Sequence, residues 1–331
     1  MKIKETIGID ISKNDFDVCI YSNQASTKII NSNKGFNELL KWVFKSSSFK
    51  KENILFIFEH TGMYSHQLAL FLTEKDLAFS MVPGLELKRS MGIVRGKNDR
   101  IDARKIALYG YRLKEELKPY IMPENSVIVI KNLFNLRTKL VRDRASYKTR
   151  MKEQARIYKK NENELLFKSQ KKIIDSYTKQ ITAVQKEIDD IIKQDEQLFE
   201  THQLITSIVS VGKQTATAMI IYTSNFTKFQ KSRQFASFSG IAPFPHESGT
   251  SINGRTRVSQ LANKQMKYLL DMCALNAIKN NPEMKAYYER RIESGKNKLS
   301  TINVVRNKIL GRIFAVVQRG TPYVNTMKYA A

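Results

Sequence analysis

After Pro123 the chain runs as far as Glu200 without a glycine or a proline. Those two residues are what normally ends a helix or turns a chain, so this stretch is committed to long helices. Within it Ile174, Tyr177, Ile181, Val184, Ile188 and Ile191 are spaced 3, 4, 3, 4 and 3 apart. An apolar seam of that period predicts a helical hairpin or coiled coil. Lasting nearly three heptads, it is short for a free-standing coil, so packing on the protein's own domain and dimerisation both stay open. The same stretch is charged with one sign: between Lys131 and Lys160, eleven basic residues stand against Asp143 and Glu153. A solvated face usually mixes signs, so this excess predicts a nucleic-acid-contacting helix, with Arg142, Arg144, Lys148 and Arg150 as candidate contacts. Glu187 to Glu200 is acidic instead and marks a junction.

The whole chain repeats that bias. Its 331 residues hold 56 Lys and Arg against 31 Asp and Glu, a formal charge of +25. Such an excess repels itself unless a polyanion neutralises it, which makes nucleic acid the first partner and an anionic membrane surface the second. A hydrophobic share of 42% is enough for a core and excludes wholesale disorder. Cys19 and Cys273 are too few for a disulfide framework or a thiolate zinc site. No apolar run approaches the ~20 residues of a membrane span, and the N-terminus lacks the apolar stretch of a signal peptide. A cytoplasmic protein with no membrane partner is the expectation.

The first 110 residues alternate strand and helix signals. Ile7–Ile11 and Phe16–Tyr21 read as strands joined by the tight Ser12-Lys13-Asn14 turn. Asn53–Phe58 is a near-continuous apolar run closed by Glu59, as for a strand buried on both faces. A helix (Tyr64–Lys75) and a strand (Ala78–Val82) follow, giving an α/β domain with a mixed sheet. If the strands ending in Asp10 and Glu59 are parallel neighbours, both carboxylates reach one rim of the sheet. Asp99 and Asp102, at a helix start, share a helix face. Four such oxygen donors would suit divalent Mg²⁺ in phosphodiester chemistry. Singly, each has an ordinary role open to it: Asp99 as an N-cap, Asp102 as a first-turn charge, Asp10 as a turn former.

From Thr201 the texture changes again. Ile205–Ile220 reads as helix, turn, helix around Val211-Gly212-Lys213, and Ser207–Ala216 is similar to a helix-hairpin-helix, in which Lys213 and free helix amides would meet a phosphate. A loop (Phe238–Arg257) and two helices (Gln260–Lys279, Leu299–Arg319) complete the segment. His60, His66, His202 and His246 share no metal spacing. Tyr287-Tyr288, set among Lys285, Arg290 and Arg291, could stack on bases.

Three motifs carry a family resemblance. Gly8-Ile9-Asp10-Ile11-Ser12-Lys13, Glu59-His60-Thr61-Gly62-Met63-Tyr64 and Lys97-Asn98-Asp99-Arg100-Ile101-Asp102-Ala103 resemble the acidic motifs of the DEDD-type insertion-sequence transposases, the bridge-RNA-guided recombinases of the IS-110/IS-1111 type. Phe235–Pro243, Glu247-Ser248-Gly249 and Arg255-Thr256-Arg257-Val258-Ser259 resemble that family's transposase domain. His60, and Gln260 with Ala262-Asn263 further on, depart from the family pattern; Lys264 or Lys267 could reach the phosphate in place of the latter. The resemblance implies a RuvC-like domain of the RNase H fold (1–125), a basic helical arm with coiled coil (126–198) and a mainly α transposase domain (199–331). It implies that Asp10, Glu59, Asp99 and Asp102 bind Mg²⁺ (or Mn²⁺). It further implies that Ser248 is the nucleophile, with Ser237, Ser239 and Ser251 as competitors and Arg255 and Arg257 on the phosphate. A structured guide RNA, element and target DNA, and a dimer or tetramer with a composite site in a bacterial, nucleoid-associated setting complete the expectation. A water-using Holliday-junction nuclease and a non-catalytic nucleic-acid-binding relic are the alternatives.

Overall fold

A computed structural model describes residues 2–90, 98–249 and 252–324. The chain divides into two compact units, Met1–Met122 and Pro123–Ala331.

The first unit is built on a five-stranded mixed sheet. β1 (Glu5–Ile11) and β2 (Asp15–Ile20) form an antiparallel hairpin whose turn is tied by Ser12 Oγ donating to the Asp15 carbonyl at 2.8 Å. β3 (Ser26–Ile30) extends it antiparallel, while β4 (Ile54–Glu59) and β5 (Phe79–Val82) run parallel on the other side of β1. The order is β3-β2-β1-β4-β5, and with its flanking helices this is the RNase H-like arrangement. Those helices are α1 (Asn33–Ser46), α2 (Met63–Glu74), α3 (Gly84–Ser90) and α4 (Asp99–Leu113).

Strand alternation explains which helix covers which face. Ile54, Phe56 and Phe58 of β4 join Ile7, Ile9 and Ile11 of β1 in a core with Phe36 and Leu39 of α1 and Leu68 and Leu72 of α2. Leu55 and Ile57 point the other way, onto Ile106 and Tyr109 of α4. Burying each such side chain contributes about 1.5–3 kcal/mol before entropy. The second face of β1 carries Thr6, Gly8 and Asp10. Gly8 is required there, because a Cβ would overlap the backbone of Ala103 and Ala107 on α4. Thr6 Oγ1 donates to the Ala107 carbonyl at 2.9 Å and fixes the contact.

The second unit begins with α5 (Asn125–Ile157) and α6 (Glu164–Gln194), the long helices that the glycine- and proline-free stretch demands. They are antiparallel: Gln170 bonds Gln154, Arg144 bonds Thr178, and Ser126 bonds Asp195. The seam closes within the chain, with Ile174, Ile181 and Ile188 buried and Tyr177 stacked at a tilt on Tyr147 of α5. At its base Val127, Ile130, Phe134, Ile188 and Ile192 merge into the core of the remaining helices. These are α7 (Glu196–Thr206), α8 (Lys213–Thr223), α9 (Ser232–Phe238), α10 (Lys264–Asn280), α11 (Pro282–Glu293) and α12 (Lys298–Arg319). The stretch expected to be a loop holds a β-hairpin instead, β6 (Pro243–Ser248) paired antiparallel with β7 (Ile252–Val258). No described helix is long and apolar enough to cross a membrane.

Candidate active site

The parallel register sets Ile9 beside Phe58, so Asp10 and Glu59 follow on adjacent strands, both on the face that α4 covers. Because Gly8 lets α4 lie directly on β1, the first turn of that helix, with Asp99 and Asp102, falls over the same edge. Asp99 is not the cap: Asn98 fills that role, accepting from the Arg100 amide at 3.0 Å. Glu59 is accommodated by a missing side chain, since a Cβ at Gly84 would overlap its carboxylate. Lys97, which opens the third motif, lies outside the described residues.

Burial and the neighbouring acids act together on this edge. Asp10 is pushed up from 3.8 to about 6, first by burial and then by Asp99, Asp102, Glu59 and Asp17 in turn. Asp17 is a fifth acid, directly opposite Asp10 across the hairpin, and its own carboxyl is raised by burial. The one-to-one pairing across a three-residue turn was the signal that could have found it. Among the described residues, Lys105, at 3.0 Å from Asp102, is the single cation paired with the four candidate acids.

Asp102 and Asp10 are half-buried while Asp99 is exposed. Among the described residues no three His, Cys, Asp or Glu side chains are yet arranged to hold an ion. The donor chemistry fits a hard divalent cation: carboxylate oxygens only, one of them rendered costly to ionise, beside a cradle that a methyl group would fill.

The backbone of Ser248 ends β6 opposite Ile252, and Gly249 follows with φ +52, a left-handed value that suits glycine. Ser251 lies outside the described residues. Ser239 is not a loop residue at all: it is fully buried at the end of α9, its Oγ donating to the Phe235 carbonyl at 2.9 Å. Ser237 is exposed on α9. Arg257 is exposed on β7 opposite Phe244, and the backbone of Arg255 lies in the same strand.

On α5, Arg142, Lys148 and Arg150 are exposed, whereas Arg144 is half-buried against α6 and donates to Thr178 Oγ1 at 3.3 Å. Lys213 opens α8 after Gly212, as the hairpin reading anticipates, and its Nζ stands 3.8 Å from Asp189 of α6.

A DEDD family model of the IS110 type, described as Transposase, matches residues 7–159. A second, described as Transposase IS116/IS110/IS902 family, matches residues 202–289. The chain belongs to the IS110 family of transposases. The first match to this IS110-family transposase spans all four candidate acids and the exposed face of α5, and the second spans Lys213, Ser248, Arg255 and Arg257. Similar proteins include the pilin gene-inverting proteins of Moraxella bovis and Moraxella lacunata. Each is 27% identical over 330 residues, covering 97% of this chain and 98% of the relative. An IS110 insertion-element protein of Streptomyces coelicolor, 43.6 kDa and uncharacterized, is 28% identical over 158 residues, 47% of this chain and 39% of its own length.

Proposed function

We propose that this transposase cuts and rejoins DNA strands with Asp10, Glu59, Asp99 and Asp102 holding a divalent ion, Mg²⁺ or Mn²⁺, and Ser248 as the nucleophile. The observation that carries the reading is the placement of the four acids at one edge of an RNase H-like sheet, where burial first, and then Asp99, Asp102 and Glu59, push Asp10 up to about 6. When bound, the ion supplies charge neutralisation at a phosphodiester under attack. Asp10 and Glu59 offer oxygens from the rigid strands, and Asp99 and Asp102 from the first turn of α4. Asp17, held by Lys28 at 3.9 Å, stays a flanking charge.

In the reaction Ser248 Oγ bonds to the phosphorus and loses its proton, and the displaced strand oxygen gains one. A hydroxyl of the incoming strand then displaces the serine and restores it. Bonds of one type break and form, so no outside energy source is needed. Gly249 allows the backbone close approach to DNA, and Arg255 and Arg257 are suited to hold phosphate oxygens through paired contacts. The names of the Moraxella relatives, which describe gene inversion, favour cutting with rejoining over cutting alone. A structured guide RNA selects the sites, several copies of the chain act together, and the exposed basic face of α5 holds nucleic acid.

Denaturing electrophoresis of protein incubated with element-end DNA and Mg²⁺ tests this reading. Wild type should form a covalent adduct, and Ser248→Ala should fold and bind DNA without forming one. DNA cut with no adduct by both proteins would instead mark a nuclease that uses water.

A further inference from the structure

We infer that α11 and α12 form a phosphate-binding site within the second unit, built on the ring of Tyr287, which grips the DNA backbone. Tyr287 is partly buried against the core of the second unit, so it is not free to stack on bases as its sequence context suggested. It serves cations instead. Lys308 Nζ, from α12, stands 4.3 Å from the ring centroid, and the guanidinium groups of Arg290 and Arg291 stand at 5.6 and 5.9 Å. An aromatic face attracts cations through its quadrupole, which lets three like charges gather where they would otherwise spread apart.

Two of the three acids of α11 are already committed. Glu283 accepts twice from Arg312, at 2.6 and 2.8 Å, and Glu289 lies 4.0 Å from Lys285. Among the described residues no carboxylate is within 4.0 Å of Arg290, Arg291 or Lys308. Arg291 Nε is enclosed and lacks an acceptor, a cost that a phosphate oxygen removes after a small rotation of the guanidinium. Arg290 and Lys308 are exposed and accessible to a polymer. Three gathered cations, none of them ion-paired among the described residues, and an unmet donor describe a site suited to an anion with several oxygens.

The place of the site selects DNA. One residue before Lys308, Asn307 donates to the Ile241 carbonyl at 3.1 Å, and Asn303 donates to the same oxygen at 2.9 Å. That carbonyl leads into β6, so α12 both braces the hairpin that carries Ser248 and presents Lys308. A phosphate held here fixes the backbone of a strand relative to that hairpin, whichever serine or water performs the cut. Such an interaction adds affinity and register without reading sequence.

The test is the salt dependence of binding to a fluorescein-labelled, mixed-sequence DNA duplex, with single-stranded RNA of the same sequence as a second arm. The double variant Arg291→Gln/Lys308→Gln should bind the duplex more weakly, its log–log salt slope shallower by about 0.9 for each phosphate no longer neutralised. Tyr287→Phe keeps the ring and should keep the wild-type slope. Tyr287→Leu should fall toward the double variant. A wild-type slope in the double variant would overturn the proposal, whether or not its melting temperature falls. So would a slope that changes on RNA alone.

Discussion

The acid edge of the sheet and the β6–β7 hairpin are built on opposite terms. Asp10 and Glu59 stand at the ends of central strands in which Ile7, Ile9, Phe56 and Phe58 are all fully buried. The hairpin has two strands only, Pro243 to Glu247 are exposed along β6, and Phe244 keeps 45% of its surface in solvent. Two strands alone are marginal in water, and this pair relies on anchors at its base, such as Asn303 and Asn307. Carboxylates that repel one another must be held by a scaffold stiffer than their repulsion. The proposed nucleophile, by contrast, would need reach and clearance more than burial.

Changes that attack the rigid side should therefore cost most. Asp10→Asn should abolish strand cleavage while leaving DNA affinity near wild type, seen by comparing a cleavage assay with a binding isotherm on one preparation. Phe56→Ala should destabilise the first unit by about 3–5 kcal/mol in urea unfolding, because it removes a fully buried ring between two helices and the sheet. Gly84→Ala should cost less, about 1–3 kcal/mol, yet lower cleavage more than its stability explains, since the added methyl displaces the Glu59 carboxylate. Replacing Arg142, Lys148 and Arg150 by Gln should flatten the salt dependence of nucleic-acid binding by about 0.7–0.9 for each phosphate left without its cation. At the soft end, Phe244→Ala should stay within about 0.5 kcal/mol of wild type in the same unfolding experiment. A large loss there would contradict the contrast between the two regions.

The same contrast governs what could be read from the amino-acid order. β1, β4 and β5 were legible because burial on one or both faces writes an apolar pattern, and Glu59 stood out by closing one. The α6 seam was legible for the same reason, and its partner turned out to be α5 of the same chain. β3 and α1 went unread: in β3 only Ile29 is buried, and the α1 stripe of Phe36, Leu39 and Val43 was passed over. The β6–β7 hairpin looked like a loop since exposed strands need no alternation and it carries Pro243, Pro245 and Gly254. Asp17 was overlooked because register, not composition, makes it a neighbour of Asp10. Arg144 counted as one of a basic row until the turn of α5 placed it against Thr178.

Burial of Asp10, reinforced by repulsion from its neighbours, gives the acid edge its own pH signature. The folded value of Asp10 lies above the unfolded one, so its contribution to stability is full below 3.8 and is lost as pH rises through about 6. In the absence of divalent ions, Asp10→Asn should thus melt above wild type at a pH near 8, with the gap closing near pH 4. A small gain from removing the proposed metal-binding charge would be the ordinary trade between activity and stability.

On the proposed function these carboxylates are held together to share a cation. Calorimetric titration of Mn²⁺ into the full-length protein, wild type against Asp10→Asn, tests it most directly. Wild type should take up the ion with measurable heat, and Asp10→Asn, still folded by circular dichroism, should lose that binding by at least about tenfold, the change that 1.4 kcal/mol of lost ligand interaction brings. Uptake by Asp10→Asn with wild-type affinity and stoichiometry would contradict the account.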